Sequence, residues 1–462
     1  MRSIQFRRAL ATGAVLVLAA GLAACGGDDG DGGETNTAGG TSPGEGKAEC
    51  EALTEFGDLS GKTVSVYTSI VAPEDQPHID SYKLFEECTG ATVTYEGSKE
   101  FEAQLVVRAR SGNPPDIAYI PQPGLLASLV NDTDAVVEAP STVADNVDEF
   151  FGEDWKSYGS VDGTFYAAPL GANVKSFVWY SPQMFNENGW EIPETWDDMM
   201  ALSEEIAGTG IKPWCAGIGS GEATGWPATD WLEDVLLRDG GADVYDQWVN
   251  HEIPFDDPAV VEALDRVGSI LKNEDMVNGG FGDVKSIVET TFQDGGLPIL
   301  DGECALHRQA SFYAANWGEA KPDVNVAEAG DVFAFYLPPT NEENGSPVLG
   351  GGEFAAAFSD RPEVQAFQTY LASDVWANEK AKATPDGGWV SANTGLDVAN
   401  LVSPIDQLSA EILQDPEAVF RFDGSDMMPG AVGAGSFWKE MTAWIGGKST
   451  EDALAAIESS WP

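Results

Sequence analysis

Basic residues are scarce. The chain carries 24 Lys and Arg against 76 Asp and Glu, a formal charge of −52 over 462 residues. A surface so acidic repels DNA, RNA and anionic lipid, so nucleic-acid partners and charge-driven adsorption to membranes are excluded. It is compatible with a neutral small ligand, and it points to a secreted protein adapted to high salt, where self-repulsion is screened. Histidine is scarcer still. His78, His251 and His307 are scattered and there is no Cys-x-x-Cys, which makes zinc a weak reading of the cysteines. The apolar run ALATGAVLVLAAGLAA is too short for a secure membrane span. No Walker A, HExxH or EF-hand loop occurs. Gly40-Thr41-Ser42-Pro43-Gly44 fits the G-x-S-x-G nucleophile elbow but has neither a strand before it nor a helix after it. Gly217-Ile218-Gly219-Ser220-Gly221 fails as a nucleotide loop because Glu222 stands where the third glycine is needed. Acids are too numerous for composition alone to decide on paired-carboxylate glycoside hydrolysis.

What is present starts at the N-terminus. Arg2, Arg7 and Arg8 precede the apolar run, which ends in Leu22-Ala23-Ala24-Cys25 and Gly26. The order resembles a bacterial lipoprotein signal, with 1–24 removed and Cys25 lipidated as the first residue of the mature chain. Residues 25–49 have almost no apolar side chains and cannot offset their ordering entropy by burial, so they read as a flexible acidic, Gly-rich tether. A folded body is expected from near Cys50. Four cysteines then remain outside the cytoplasm, enough for two disulfides. Three pairings are possible. Cys50–Cys88 with Cys215–Cys304 is favoured because each pair lies within one region of the chain.

Hydrophobic residues make up 43% of the sequence, so a sizeable core is available. KTVSVY (62–67), ATVTYEG (91–97) and DIAYIP (116–121) read as strands, and PHIDSYKLFEEC (77–88) and FEAQLVVRARSG (101–112) as helices between them. That alternation predicts an open α/β sheet with ligand-binding loops beyond the carboxyl ends of strands. Those loops hold Thr68-Ser69, Ser98-Lys99-Glu100 and Pro121-Gln122-Pro123-Gly124. Residues 163–185 read as two strands. A helix-rich stretch runs from 193 to about 330, and strands follow at 331–339 and 347–358.

The lipobox, the acidic linker and then FEECTGATVTYEGSKEFEAQLVVRARSGNPPDIAYIPQPGLL, GTFYAAPLGANVKSFVWYSPQMF, IPETWDDMMAL, GGGEFAAAF and SFWKEMTAWIGGKSTEDALAAIESSW together resemble the extracellular solute-binding proteins of carbohydrate ABC importers, the maltose-binding-protein-like cluster. The PQPG turn and the WPATDWLED stretch look most like α-glucoside binders. The resemblance covers about residues 50–462. It implies an α/β, two-lobed periplasmic-binding-protein-like fold with a ligand cleft and crossover hinge strands. The lobes would be 50–171 plus about 349–390, and 172–348 plus about 391–462. Crossings would fall near Leu170-Gly171, Gly350-Gly351-Gly352 and Trp389-Val390. Three glycines at a crossing permit unusual backbone angles and close approach to a ligand.

A sugar's C–H faces stack on aromatic rings and its hydroxyls take planar polar partners, so a sugar cleft needs both. With 14 Trp, 21 Phe and 11 Tyr, rings are plentiful. Trp226, between Gly225 and Pro227 at a helix mouth, is the expected stacking platform, and Asp230 one turn on can accept hydroxyls or complement the helix start. Trp231, among Leu232, Val235 and Leu236, reads as core. Gln122, Glu100, Thr68 and Ser69 are candidate contacts from the strand-end loops. Asn173 and Lys175 are candidates at the first crossover, Gln309 after Cys304, Gly352 and Glu353 at the glycines, and Trp438 as a second aromatic platform. Arg308 is expected to pair with an acid. The implied protein is no enzyme. It uses no cofactor or metal, binds an α-glucoside or short oligosaccharide as a monomer, and docks on permease subunits while held to the cell membrane by its N-terminal lipid; the alternatives are a binder of another neutral solute, such as a glucosylated compatible solute, and a glycan-processing lipoprotein.

Overall fold

A computed structural model describes residue 44 and residues 46–280, 282–415 and 418–462. The expected signal segment, Cys25 and most of the expected tether lie outside the described residues. Folding begins with a 3-10 helix, Ala48–Phe56, that buries Cys50 and Leu53.

The strands, in chain order, are β1 (Thr63–Thr68), β2 (Thr92–Gly97), β3 (Ile117–Ile120), β4 (Ser160–Val161), β5 (Thr164–Phe165), β6 (Ala167–Val174), β7 (Phe177–Tyr180), β8 (Lys212–Cys215), β9 (Val277–Asn278), β10 (Cys304–Arg308), β11 (Phe333–Tyr336), β12 (Val348–Ala357) and β13 (Phe420–Phe422). Among the described residues they form two main sheets and one hairpin. One sheet has the order β13-β12-β3-β1-β2 with β6 also on β12, and the other has the order β11-β7-β10-β8-β9.

In the first sheet β1 lies parallel to β2 and β3, with Val64 beside Val93 and Val66 beside Ile117. Parallel neighbours require crossovers, here Asp75–Ser81 with Lys83–Thr89, and then Phe101–Arg110. The sequence predicts one helix over 77–88. The structure divides it at buried Tyr82 (φ −83°, ψ −13°), whose hydroxyl meets that of Tyr119 at 2.7 Å. The disulfides pair Cys50 with Cys88 and Cys215 with Cys304. The second ties the end of β8 to the start of its neighbour β10.

β6 leaves the first sheet and, after Lys175 and Ser176, becomes β7 of the second. β12 runs antiparallel to β6, with Gly351 opposite Asn173 and a bulge between Glu353 and Phe354. Ala172 also bridges Val390. Of the two reasons the sequence offers for the three glycines of β12, unusual backbone angles do not apply. None has a positive φ, and all sit in extended strand. Space is the reason for them: a Cβ on Gly352 would lie 2.2 Å from the carbonyl oxygen of Gly171, and one on Gly350 would lie 2.2 Å from the Phe420 ring. After Val390 the chain stays with the first sheet for a while. Leu396, Leu401 and Ala410, which the expected boundary at about 390 assigns to the second lobe, pack in the first sheet's core with Val64, Phe367 and Trp376.

The longest helical stretch among the described residues, Trp226–Val249, is broken by a kink at Gly241 (φ 77°, ψ 175°), and its first part is buried on every face from Pro227 to Arg238. Trp231 is 5% exposed and meets Trp214 edge-on at 5.3 Å, inside a core that includes Leu232, Val235 and Leu236. Trp231→Ala should therefore cost about 3–5 kcal/mol of stability, the usual range for deleting a buried large aromatic. Urea denaturation checks this, and a loss below about 1 kcal/mol contradicts the packing assignment.

Candidate functional site

Where the two sheets are joined, a cavity of about 150 Å³ opens between the strand-end loops and the start of the long helix. Eight of the sequence candidates line it: Ser69, Gln122, Asn173, Lys175, Trp226, Gly352, Glu353 and Trp438. They arrive from several elements, with Gly352 and Glu353 together on β12. Ser69 follows β1 and Gln122 follows β3. Asn173 lies in β6, and Glu353 sits at the β12 bulge, where the register shift re-aims a side chain.

Trp226 is half-buried and starts its helix directly after Gly225. Gly225 has φ +119°, and a Cβ there would lie 2.1 Å from the carbonyl oxygen of Trp438. Only glycine lets the helix begin so close to the backbone that brings in the second tryptophan. The Trp226 ring stands edge-on to Phe292 at 5.0 Å and tilts toward Phe312 at 6.0 Å, and both Phe line the cavity. Trp438 reaches the cavity although it is only 4% exposed, and its Nε1 donates to Ser425 Oγ at 3.3 Å.

Four sequence candidates do not line the cavity. Thr68 is buried at the end of β1, and its Oγ1 accepts from the Ile70 amide. Glu100 is exposed near Gly221. Gln309 is buried, with Oε1 accepting from the Ala310 amide at 2.8 Å. Asp230 lies behind the wall, where it accepts from Lys175 at 3.1 Å and from Arg308 at 3.4 Å.

Asp230 is part of a buried charge network. The long helix presents Asp230, Glu233, Asp234 and Arg238 at helical spacing, and all are buried. Arg308 donates to Asp234 at 2.8 Å, and Arg238 also pairs with Asp234. Lys175 bonds Asp423 as well as Asp230 and lies 4.0 Å from Asp426. Burial pushes Asp230 up to about 6, and it raises Glu233 and Asp426 strongly. Burial also acts to raise Asp423, but the Lys175 ammonium outweighs it and brings Asp423 down to about 2. Asp230, Glu233 and Asp423 bring carboxylate oxygens close enough to hold a cation. Lys175 already pairs with two of the three, so the cluster is an ion-pair network.

Sequence reasoning missed Glu74, Lys99, Glu102, Ser220, Phe292, Gln293, Phe312, Asp423 and Asp426, all of which line the cavity. Lys99 was visible in a strand-end loop. Glu102 lies in the first turn of Phe101–Arg110, Asp423 directly follows β13, and Phe292, Gln293, Phe312 and Asp426 lie in short helices, where no spacing marks them. The lining is rich in acceptors. Gln122 Oε1, Asn173 Oδ1, Gln293 Oε1 and Glu102 Oε2 have no hydrogen-bond partner among the described residues. Burial and the neighbouring Glu353 push Glu74 up to about 8, and burial raises Glu353 and Glu102. Such a wall calls for a ligand with many donors and aromatic-compatible faces.

Residues 64–378 match the family model described as bacterial extracellular solute-binding protein. The chain belongs to that family. This solute-binding protein is 40% identical over 415 residues to an osmoprotective compounds-binding protein of Synechocystis sp., covering 89% of this chain and 96% of the relative. It is 39% identical over 430 residues to an alpha-glucosides-binding periplasmic protein of Rhizobium meliloti, covering 90% of each. A solved chitin oligosaccharide binding protein superposes with TM-score 0.70 at 19% identity, over 86% of this chain and 97% of that one, a likeness of fold. Members of the family bind solutes and do not transform them, which sets aside the glycan-processing alternative. Among the described residues, no helix is long and apolar enough to cross a membrane.

Lys175 is the cation on which the buried acids at the cleft depend. Lys175→Met should cost about 3–5 kcal/mol at pH 7, because it leaves buried carboxylates uncompensated. Part of the loss should return toward pH 5. Carboxyls whose folded pKa is raised favour the folded state once protonated, and that contribution disappears as pH rises through the folded value. Denaturation curves at the two pH values check both statements.

Proposed function

We propose that this solute-binding protein is the lipid-anchored receptor of an ABC importer, capturing a neutral α-glucoside or a glucosylated compatible solute and delivering it to a membrane permease. The carrying observation is the cleft. Trp226, Phe292 and Phe312 form an aromatic corner, and around it stand acceptors without partners in the protein. A glycoside offers C–H faces to the rings and hydroxyl donors to Gln122, Asn173 and the carboxyls. An anionic solute gains little from Lys175, one of the two cations in the lining, because its ammonium is already committed to Asp230 and Asp423. The names of the two relatives, an α-glucoside binder and a binder of osmoprotective compounds, support the same ligand range.

Binding is non-covalent. Ser69, Gln122, Asn173, Lys175, Trp226, Gly352, Glu353 and Trp438 supply contacts, with Glu74, Phe292 and Phe312 added. Asp230 acts through Lys175, holding the ammonium at the cleft wall. Thr68, Gln309 and Glu100 stand outside the contact set. The protein works as a monomer on the outer face of the membrane, held by lipid on Cys25 after removal of 1–24, with 25–49 as the tether. The lobes are 50–171 with a segment from about 349, and 172–348 with most of the C-terminal part.

Isothermal titration with maltose, trehalose, sucrose and simple α-glucosides should give saturable binding, and Trp226→Ala should weaken it at least tenfold with the fold intact by circular dichroism. Failure of every glycoside to bind overturns the reading.

A further inference from the structure

Behind Glu353 lies a second, smaller chamber of about 40 Å³. It shares Ile70, Glu74, Asn173, Phe312 and Glu353 with the lining of the main cavity, so the two adjoin at the crossovers. Its own walls come from His78, Lys380, Trp389 and Ala315. Two of these are buried polar side chains with an atom unpartnered among the described residues. Trp389 is 7% exposed and its Nε1 has no acceptor; His78 is 3% exposed and its Nδ1 has no partner. Burial holds His78 well below its ordinary pKa, so its ring is neutral and offers one donor and one acceptor nitrogen. Lys380 Nζ donates to Thr384 Oγ1 at 2.9 Å, with donor capacity left over. Native interiors seldom leave two such groups unpaired beside a void.

We propose that this chamber is a second subsite, which receives a short hydroxylated arm of a glycoside whose sugar ring occupies the main cavity. The inference rests on the glycoside reading above and narrows it to glycosides of small polyols.

The volumes carry the argument. A cavity of about 150 Å³ accommodates roughly one six-membered carbon ring. The main cavity therefore holds one pyranose core, with hydroxyls reaching the acceptors in its wall. At about 10–15 Å³ for each water-sized group, the chamber holds roughly three more. A second hexose ring does not enter a space of that size. A two- or three-carbon polyol arm does, and its hydroxyls satisfy the Trp389 indole N–H, the His78 ring nitrogen and Glu74 or Glu353. The outer groove, of about 390 Å³, lies toward the other side, where it shares Glu102 and Trp438 with the main cavity. A disaccharide's second ring finds more room on that side than in the chamber.

The test is a comparison of dissociation constants by titration calorimetry on the whole protein, using α-glucosylglycerol, methyl α-glucoside and maltose. Methyl α-glucoside keeps the ring and lacks the arm. The glycerol glycoside should bind at least tenfold more tightly than methyl α-glucoside. Trp389→Phe keeps the ring against Trp376 and removes the N–H donor. Ala315→Leu fills the chamber from its far wall. Each should bring the ratio between the two ligands below about threefold. If either variant folds poorly, the other still decides. Equal affinity of the wild type for the two glucosides overturns the subsite, as does a ratio that survives both variants. Absence of binding by all three sugars is a different result: it overturns the glycoside reading and this inference with it.

Discussion

The organisation of the cleft depends on one buried cation. Lys175 sits between β6 and β7, at the point where the chain leaves one sheet for the other. Its ammonium meets Asp230 from the long helix and Asp423 from the segment after β13. Three parts of the chain that are distant in sequence are thereby held to one atom. Isolated, each charge would be very costly to bury; together they are tolerable because the geometry supplies opposite charge and hydrogen bonds at short range. The neighbouring pairs Arg308–Asp234 and Arg238–Asp234 extend the same arrangement along the helix. Lys175 Nζ also stands 5.6 Å from the Trp226 ring centroid, so the network fixes the wall on which the aromatic corner is built.

Much of the first sheet was readable because its signals are local. β1, β2 and β3 alternate or are apolar throughout, and the helices between them have helical periodicity. The cysteine pairing was also readable, from compartment and proximity in sequence. Of the candidates at strand ends or crossings, Ser69, Gln122, Asn173 and Glu353 line the cavity, whereas Thr68 and Glu100, from the same kind of position, do not. The site was not readable where long-range packing decides. Asp230 looks like a residue for a ligand or a helix start, because nothing local shows that Lys175 and Arg308 will reach it. Nothing local marks Glu233, Asp234 and Arg238 of the long helix for burial, yet all three are buried. Asp423, Asp426, Phe292 and Phe312 lie in turns or short helices whose place in the cleft comes from the tertiary fold. Of the two reasons offered for the glycines of β12, unusual dihedrals do not apply; closeness to Gly171 and Phe420 excludes a side chain at Gly352 and Gly350, and Gly351 and Gly352 line the cavity.

The two tryptophans of the TGWPATDWLED stretch show how five residues of separation give opposite environments. Trp231 lies on the face that meets Trp214 and the second sheet. Trp226 precedes that face, at a helix start that only Gly225 allows. The start of a helix is an efficient place for a binding aromatic. The ring projects from a rigid element while its first turn leaves backbone groups uncommitted. Pro227 adds rigidity where no amide donor is missed.

The same features connect binding to closure. Gln122, Asn173, Gln293 and Glu102 line the cleft and each has a buried oxygen without a partner among the described residues, and Lys99 and Gly221 approach each other nearby, where a Cβ on Gly221 would lie 3.1 Å from the Lys99 carbonyl oxygen. A buried acceptor without a donor costs about 1–3 kcal/mol. Bringing the lobes together over a cleft with several such acceptors is unfavourable unless donors arrive with the ligand or with water. A polyhydroxylated ligand supplies them in fixed positions. Its affinity for the closed arrangement then exceeds its affinity for an open one, and that difference is what shifts the equilibrium. An apolar lining would close on any greasy solute, and a fully satisfied lining would close on nothing in particular. Unpaired acceptors around an aromatic corner make closure conditional on the hydroxyl pattern of the ligand.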